Sequence, residues 1–288
     1  LTGDRLLPED LTPLDQPRQV ILAFANDPAG RTFPKRQRAA YPFHIGRALY
    51  LPGDPAGFCT LYLQSCSGGI FQHDRLGIAV RAEPGARVHL TTSASTVVHA
   101  MDDGNAVQDV LVEAGPDSLV EYLPDPQILF PRSCLTNRLV VRAHPTATVL
   151  ACDSFLPHDP DGGSSPFGWL RSDTRIEDET GRLLAADRFE VSGSASMAGT
   201  VGVQGAYRMQ ATLMVVHRRD PDAALAALRS VLPEGDNVYA GASLLPGGAG
   251  AWLRALSSDA VALRRLVRDA WAAAREQLTG APPGIRRK

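Results

Sequence analysis

The chain has 288 residues, 21% charged and 44% apolar, the proportions of an ordinary globular protein rather than a fibre or a disordered tail. Its 29 basic and 31 acidic residues leave a formal charge of −2, which offers no electrostatic footprint to nucleic acid or an anionic membrane. A chain this long buries a core without staples, and Cys59, Cys66, Cys134 and Cys152 contain no C-x-x-C pair, so free thiols in a reducing cytosol are expected.

Residues 1–40 are rich in Pro, Asp and Arg and predict an N-terminal arm followed by a first strand over the apolar run Val20 to Ala25. Leu1 to Asp15 shows no basic stretch leading into an apolar one, and no segment is apolar over a membrane-spanning length. A cytoplasmic protein with no membrane partner is therefore expected.

Residues 41–218 predict a β-rich body. Leu76, Ile78 and Val80 alternate with Gly77, Ala79 and Arg81, and the turn Glu83-Pro84-Gly85-Ala86 leads into Val88 and Leu90, as a hairpin or a tight β-corner. The same grammar returns about thirty residues later: Val110 to Val112, a turn at Ala114-Gly115-Pro116-Asp117, then Leu119, Val120 and Tyr122. A third copy runs from Leu139 to Val141 through Ala143-His144-Pro145-Thr146 to Val149 and Leu150, and a looser fourth turns at Glu179-Thr180-Gly181-Arg182. A unit that cannot bury its own apolar face must stack on its neighbours, which predicts a mainly β fold of stacked sheets with a β-helix-like, solenoid-like body. A β-sandwich is the alternative. His158 to Ser165 predicts an exposed loop, and the small-residue stretch Ser192 to Gly205 either a loop or a close-packed strand pair.

Residues 219–288 predict a helical part packed on the body. Asp220 caps a helix that begins at Pro221 and carries Leu225, Leu228, Val231 and Leu232 to a stop at Pro233. A second helix starts near Ser258 or Asp259 and ends at Gly280, with Leu263, Leu266, Val267, Ala270, Trp271, Ala274 and Leu278 on one face. Arg264, Arg265, Arg268 and Arg275 are assigned to the opposite face. Strands followed by helices, without βα alternation, disfavour a Rossmann-like or barrel enzyme.

The only lysines, Lys35 and Lys288, lie outside any phosphate-binding loop, and G-x-S-x-G, H-E-x-x-H and paired Cys/His zinc spacings are missing. The densest chemical cluster is Cys66-Ser67-Gly68-Gly69-Ile70-Phe71-Gln72-His73-Asp74, where an imidazole and a carboxylate suit a borderline metal such as nickel. Its structural alternative is a glycine turn whose amides Asp74 satisfies. Glu121-Tyr122-Leu123-Pro124-Asp125-Pro126 ends a strand in a rigid turn that either presents acids to a partner or redirects the chain. His89, His99 and His217 are assigned as strand residues satisfied by neighbours, and Cys134 with His144 lacks the flanks of a thiol enzyme.

Five segments together resemble the UreD/UreH family of urease accessory proteins. Gly68, Gly69, Asp74 and Leu76 match its glycine-rich element, and Gly85-Ala86 with Leu90-Thr91-Thr92-Ser93 matches the next strand. Ala106, Gln108, Glu121, Leu123, Pro124 and Phe130 follow, then Asp187-Arg188-Phe189, then Gly241 to Pro246 with Trp252-Leu253-Arg254. Gln72-His73 replaces a glycine pair, and Gly284 to Lys288 lacks the customary terminal Pro-Arg-x-Trp, departures that make a divergent paralogue with an altered partner one alternative. The resemblance implies a non-catalytic scaffold that joins UreF and the GTPase UreG on apo-urease and conducts nickel, with no tightly bound cofactor. His73, Asp74, Glu121 and Asp187 are the candidates for a transient nickel path. A β-rich binding module without metal traffic is the remaining alternative.

Overall fold

The computed structural model describes residues 18–233, 235, 237–284 and 286. Residues 1–17, the start of the arm expected within residues 1–40, lie outside them. The apolar run forms β1 (Val20–Asn26), and the Asp27 side chain, accepting from the amides of Ala29 and Arg31, turns the chain into β2 (Thr32–Ala39). There follow β3 (Phe43–Ile45), β4 (Cys59–Ser65), β5 (Arg75–Ala82), β6 (Arg87–Thr92), β7 (Thr96–Val98), β8 (Ala106–Ala114) and β9 (Leu119–Tyr122). The chain continues through β10 (Gln127–Leu129), β11 (Cys134–Ala143), β12 (Thr148–Pro157), β13 (Trp169–Asp178) and β14 (Leu183–Ser192). The last part comprises α1 (Gly193–Met197), β15 (Met209–His217), α2 (Pro221–Arg229), β16 (Val238–Leu244), β17 (Gly250–Ser257) and α3 (Ala260–Thr279).

The strands build two sheets. One has the order β14-β13-β11-β8-β5-β1-β2, and the other the path β16-β17-β15-β12-β9-β6-β4-β3, with β7 and β10 paired beside it. The three clear sequence repeats are corners, not hairpins: β5, β8 and β11 lie parallel in the first sheet, and β6, β9 and β12 lie parallel in the second. Backbone bonds stack the corners, Gly85 N–H donating to Pro116 O and His144 N–H to Ala114 O. Buried alanines flank each turn, Ala82 and Ala86, Ala114, Ala143 and Ala147, and these small side chains let the sheets converge there. Beyond the corners Val80, Val112, Val141, Val88, Val120 and Val149 fill the space between the sheets. This is the solenoid-like body. The looser fourth repeat is different, an antiparallel hairpin in which β13 and β14 stay in one sheet and Asp178 caps the turn.

Both expected helices form. Asp220 accepts from Ala223 N–H at the start of α2; Asp259 accepts from Val261 and Ala262 N–H at the start of α3, which Gly280 ends in the left-handed conformation at φ 77°. Their apolar faces, Leu225, Leu228, Leu263, Leu266 and Ala270 among them, pack on the outer face of the second sheet. The structure corrects three expectations. β16 and β17 lie between the helices, completing the second sheet through β15. The Ser192–Gly205 stretch holds α1, capped by Ser192 on Ala195 N–H. Arg275 is not on the polar face but fully buried, because a guanidinium ion-paired with carboxylates and stacked on rings can be taken out of water. No helix among the described residues is long and apolar enough to cross a membrane.

Candidate functional site

Away from the corners, the core-facing positions of the first sheet change character. Ile78, Val110, Leu139, Thr174 and Asp187 stand in register across β5, β8, β11, β13 and β14. The next inward row is Leu76, Gln108, Asn137, Ser172 and Phe189. On the facing sheet Asp153, Thr212 and Arg254 pair across β12, β15 and β17. A polar layer thus crosses the body, with the valine-rich core on its corner side and Leu76, Ala106, Leu135, Leu170 and Phe155 in a second apolar cluster on the other.

The layer is wired across the sheets. Gln108 Nε2 donates to Asn137 Oδ1 at 3.1 Å, Asn137 Nδ2 donates to Asp153 Oδ1 at 3.2 Å, and Ser172 Oγ donates to Asp153 Oδ2 at 2.5 Å. Arg254 donates through Nε to Thr212 Oγ1 at 3.3 Å and pairs with Asp187. Asp153, Asn137 and Gln108 line a cavity of about 180 Å³ whose outer lining includes Gly68, Ser93 and Ala94. Asp187 lines a second hollow of about 300 Å³ with Thr174, Leu244 and Trp252. Burial pushes the Asp153 carboxyl above the usual carboxylate range; Asp187 raises it further, while the hydrogen bonds from Ser172 and Asn137 and the charge of Arg254 act against the shift.

The sequence candidates do not gather at one point. Asp74 Oδ2 accepts from Phe71 N–H at 2.8 Å, the turn-satisfying role, and the exposed His73 lies 3.2 Å from Gln72 Nε2 and packs toward Gly104. Cys66 is exposed at the same turn. Asp187 sits in the polar layer. Glu121 faces the opposite way, into a fully buried ion cluster beneath α3. His89 Nδ1 donates to Glu121 Oε2 at 2.8 Å, Arg275 Nε stands 3.2 Å from Glu121 Oε1, and Arg275 Nη1 donates to Asp54 Oδ1 at 2.7 Å. Arg275 also stacks over Phe58 at 3.8 Å. Burial drives the His89 pKa down to about 4, so the ring is neutral at pH 7. Burial pushes Glu121 the other way, but the His89 bond and the Arg275 charge hold it ionised, below its ordinary value. No group of three or more His, Cys, Asp or Glu poised around one point occurs among the described residues.

Asp153, Asn137 and Ser172 were missed from sequence although a signal existed. Val149, Ala151, Asp153 and Phe155 occupy one face of β12, and Leu135, Asn137 and Leu139 one face of β11, so each polar residue breaks an otherwise apolar alternation.

A family model described as UreD urease accessory protein matches residues 17–288. The chain belongs to the UreD family. "Urease accessory protein UreD 1" of Pseudomonas syringae pv. syringae (strain B728a) is 42% identical over 277 residues, covering 96% of this chain and 97% of that protein. The protein of the same name from Pseudomonas syringae pv. tomato is 41% identical over 96% of this chain, and that from Methylorubrum populi 36% over 96%. UreD membership assigns the chain a role in urease maturation, and the UreD-like motif residues now have local duties. Gly69 sits at φ 152°, where a Cβ would lie 2.4 Å from Val97 O. Thr91 Oγ1 donates to Leu123 O at 2.6 Å, and Thr92 Oγ1 accepts from Asp125 N–H at 2.9 Å, fixing the bend that carries Pro124 to the cavity wall. Phe130 packs between His99 and His158, and Arg188 pairs with Asp173 at 3.0 Å. The UreD motif residues Gly68, Gly69, Leu76, Thr92, Ser93, Gln108 and Pro124 line the first hollow, and Asp187, Leu244 to Pro246 and Trp252 the second.

Proposed function

We propose that the chain is a non-catalytic scaffold for loading nickel into apo-urease, acting in the cytoplasm with UreF and the GTPase UreG, and that the polar layer is the path the ion takes. The observation that carries this reading is Asp153: a desolvated carboxylate set at a core position between two apolar layers, joined by amides and hydroxyls to a cavity on one side and near Asp187 on the other. Such a group costs stability, and a structural role would be served better by an apolar residue. A divalent cargo reverses the balance, since its charge favours the ionised carboxylate that burial disfavours. One carboxylate with amide oxygens, hydroxyls and water is also a weak donor set, as a conduit that must release its ion requires. Asp187 continues the path, with Arg254 as the counter-charge that an arriving cation displaces. Among the other candidates, His73 and Asp74 stand at the surface turn beside the glycine motif, and Glu121 is committed to Arg275 and His89.

The test is complementation of a strain deleted for this gene with Asp153→Asn and Asp187→Asn. Urease activity and urease-bound nickel are expected to fall about tenfold or more, while co-purification of UreF and UreG stays unchanged. Normal activation by the double variant rejects the path.

A further inference from the structure

Between α3 and the outer face of the second sheet runs a cleft of about 540 Å³ that the nickel reading does not use. Its walls are apolar, with Leu123, Leu263, Val267 and Trp271, and its rim carries Arg264, Arg265 and Arg268. At its floor stands Arg286, whose side chain is only 8% exposed and whose guanidinium lies over the Trp271 ring at 4.3 Å. Its Nε, Nη1 and Nη2 make no hydrogen bond, and its acidic neighbours, Asp54 and Glu121, stand at 3.7 and 4.0 Å, turned to Arg275. A buried guanidinium with unmatched donors is costly unless an acceptor arrives. The neutral His89 ring at the same floor adds no charge. Asp125, 3.9 Å from Arg264, is the acidic residue of the lining.

We infer that this cleft is a docking groove for an extended acidic segment of a partner protein, one carboxylate of which draws the covered guanidinium of Arg286 into the cleft and pairs with it, while the neighbouring apolar side chains lie against Leu123 and Val267. Three features select this occupant. Four arginines line the cleft, against Asp125 in the lining and Asp269 paired with Arg268 beside it, so the net charge is complementary to an acid. Arg286, flat on an indole and with no hydrogen bond of its own, holds paired donors, covered at rest, that match a carboxylate once uncovered. The lining follows α3 from Ala260 to Trp271, about 16 Å of helix, enough for about five extended residues and more than a small acid fills.

The experiment uses the full chain and fluorescence anisotropy with a labelled acetyl-Leu-Glu-Leu-Glu-Leu-amide peptide, its Gln counterpart, and sodium hexanoate as competitor. The acidic peptide is expected to bind saturably and about tenfold or more tighter than the Gln peptide. Arg286→Gln should abolish that preference; because Arg286 also borders the ion cluster, the rim variant Arg264→Gln/Arg268→Gln is measured beside it and should weaken binding about tenfold. Arg182→Gln, in the β13–β14 turn, should leave binding unchanged. Equal binding of the two peptides, no saturable binding, or displacement by hexanoate at matched concentration overturns the assignment. None of these readouts involves nickel.

Discussion

The half-buried Asp153 and the fully buried His89 show how a single titratable group writes itself into stability. The folded-state pKa of Asp153 is raised, so the unfolded chain releases its proton first, and the contribution of this residue to stability falls as pH climbs past about 4. Asp153→Asn removes that slope and is expected to raise Tm at pH 7 by on the order of 2–4 °C, with the gap from wild type closing in acid; thermal melts across pH check it. His89 has the opposite sign of proton demand. Its pKa drops from 6.5 to about 4 on folding, so the unfolded chain binds the extra proton in that window and stability declines as pH falls through it. Urea titrations at pH 7 and pH 5 should show a drop for wild type that His89→Gln reduces; an equal drop in both would place the acid sensitivity elsewhere. Gly69 is a third case. Its φ of 152° and the nearness of Val97 O leave no room for a methyl group, so Gly69→Ala should cost roughly 1–3 kcal/mol by chemical denaturation.

Among the elements, α3 is held by two different forces. Leu263, Leu266, Ala270 and Ala274 bury apolar area on the sheet, while Arg275 satisfies Asp54 and Glu121. Arg275→Met keeps the length but removes the charge that faces both buried carboxylates, leaving Glu121 to His89 and Asp54 to the Gly284 amide, so a loss of roughly 3–5 kcal/mol is expected, together with faster hydrogen exchange in α3; a change under about 1 kcal/mol would mean that the ion cluster is not what holds the helix. The elements were also the most legible part of the sequence where local chemistry decides. Asp220-Pro221 and Asp259 with Gly280 mark helix ends by groups that satisfy orphan amides and permit positive φ, and the repeated turns mark the corners. Arg275 was placed on the wrong face because helical periodicity alone cannot distinguish a solvated arginine from one received by Asp54, which lies far away in the chain. β16 and β17 were missed because their short runs, rich in Gly, Ala and Ser, acquire strand identity only from β15 beside them.

For the whole molecule, the corner periodicity made the stacked fold legible, since a repeat of strand, turn and strand has few ways to bury its faces. The polar layer was not legible in the same way. Gln108 and Asn137 reveal their partnership only through register, and Asp153 joins them from the other sheet, so the layer exists between elements and in none of them. The family motifs found its edge at Ser93, Gln108 and Asp187 without its centre.

The clasp beneath α3 has a final consequence for biosynthesis. Asp54 and Glu121 emerge from the ribosome long before Arg275, which follows Asp54 by 221 positions. Until then two carboxylates destined for the interior have no counter-ion, and the nascent sheets must keep that flank open to water. Loss of the final turns would therefore leave a product whose centre stays hydrated and loose, so this architecture checks its own completeness before it closes.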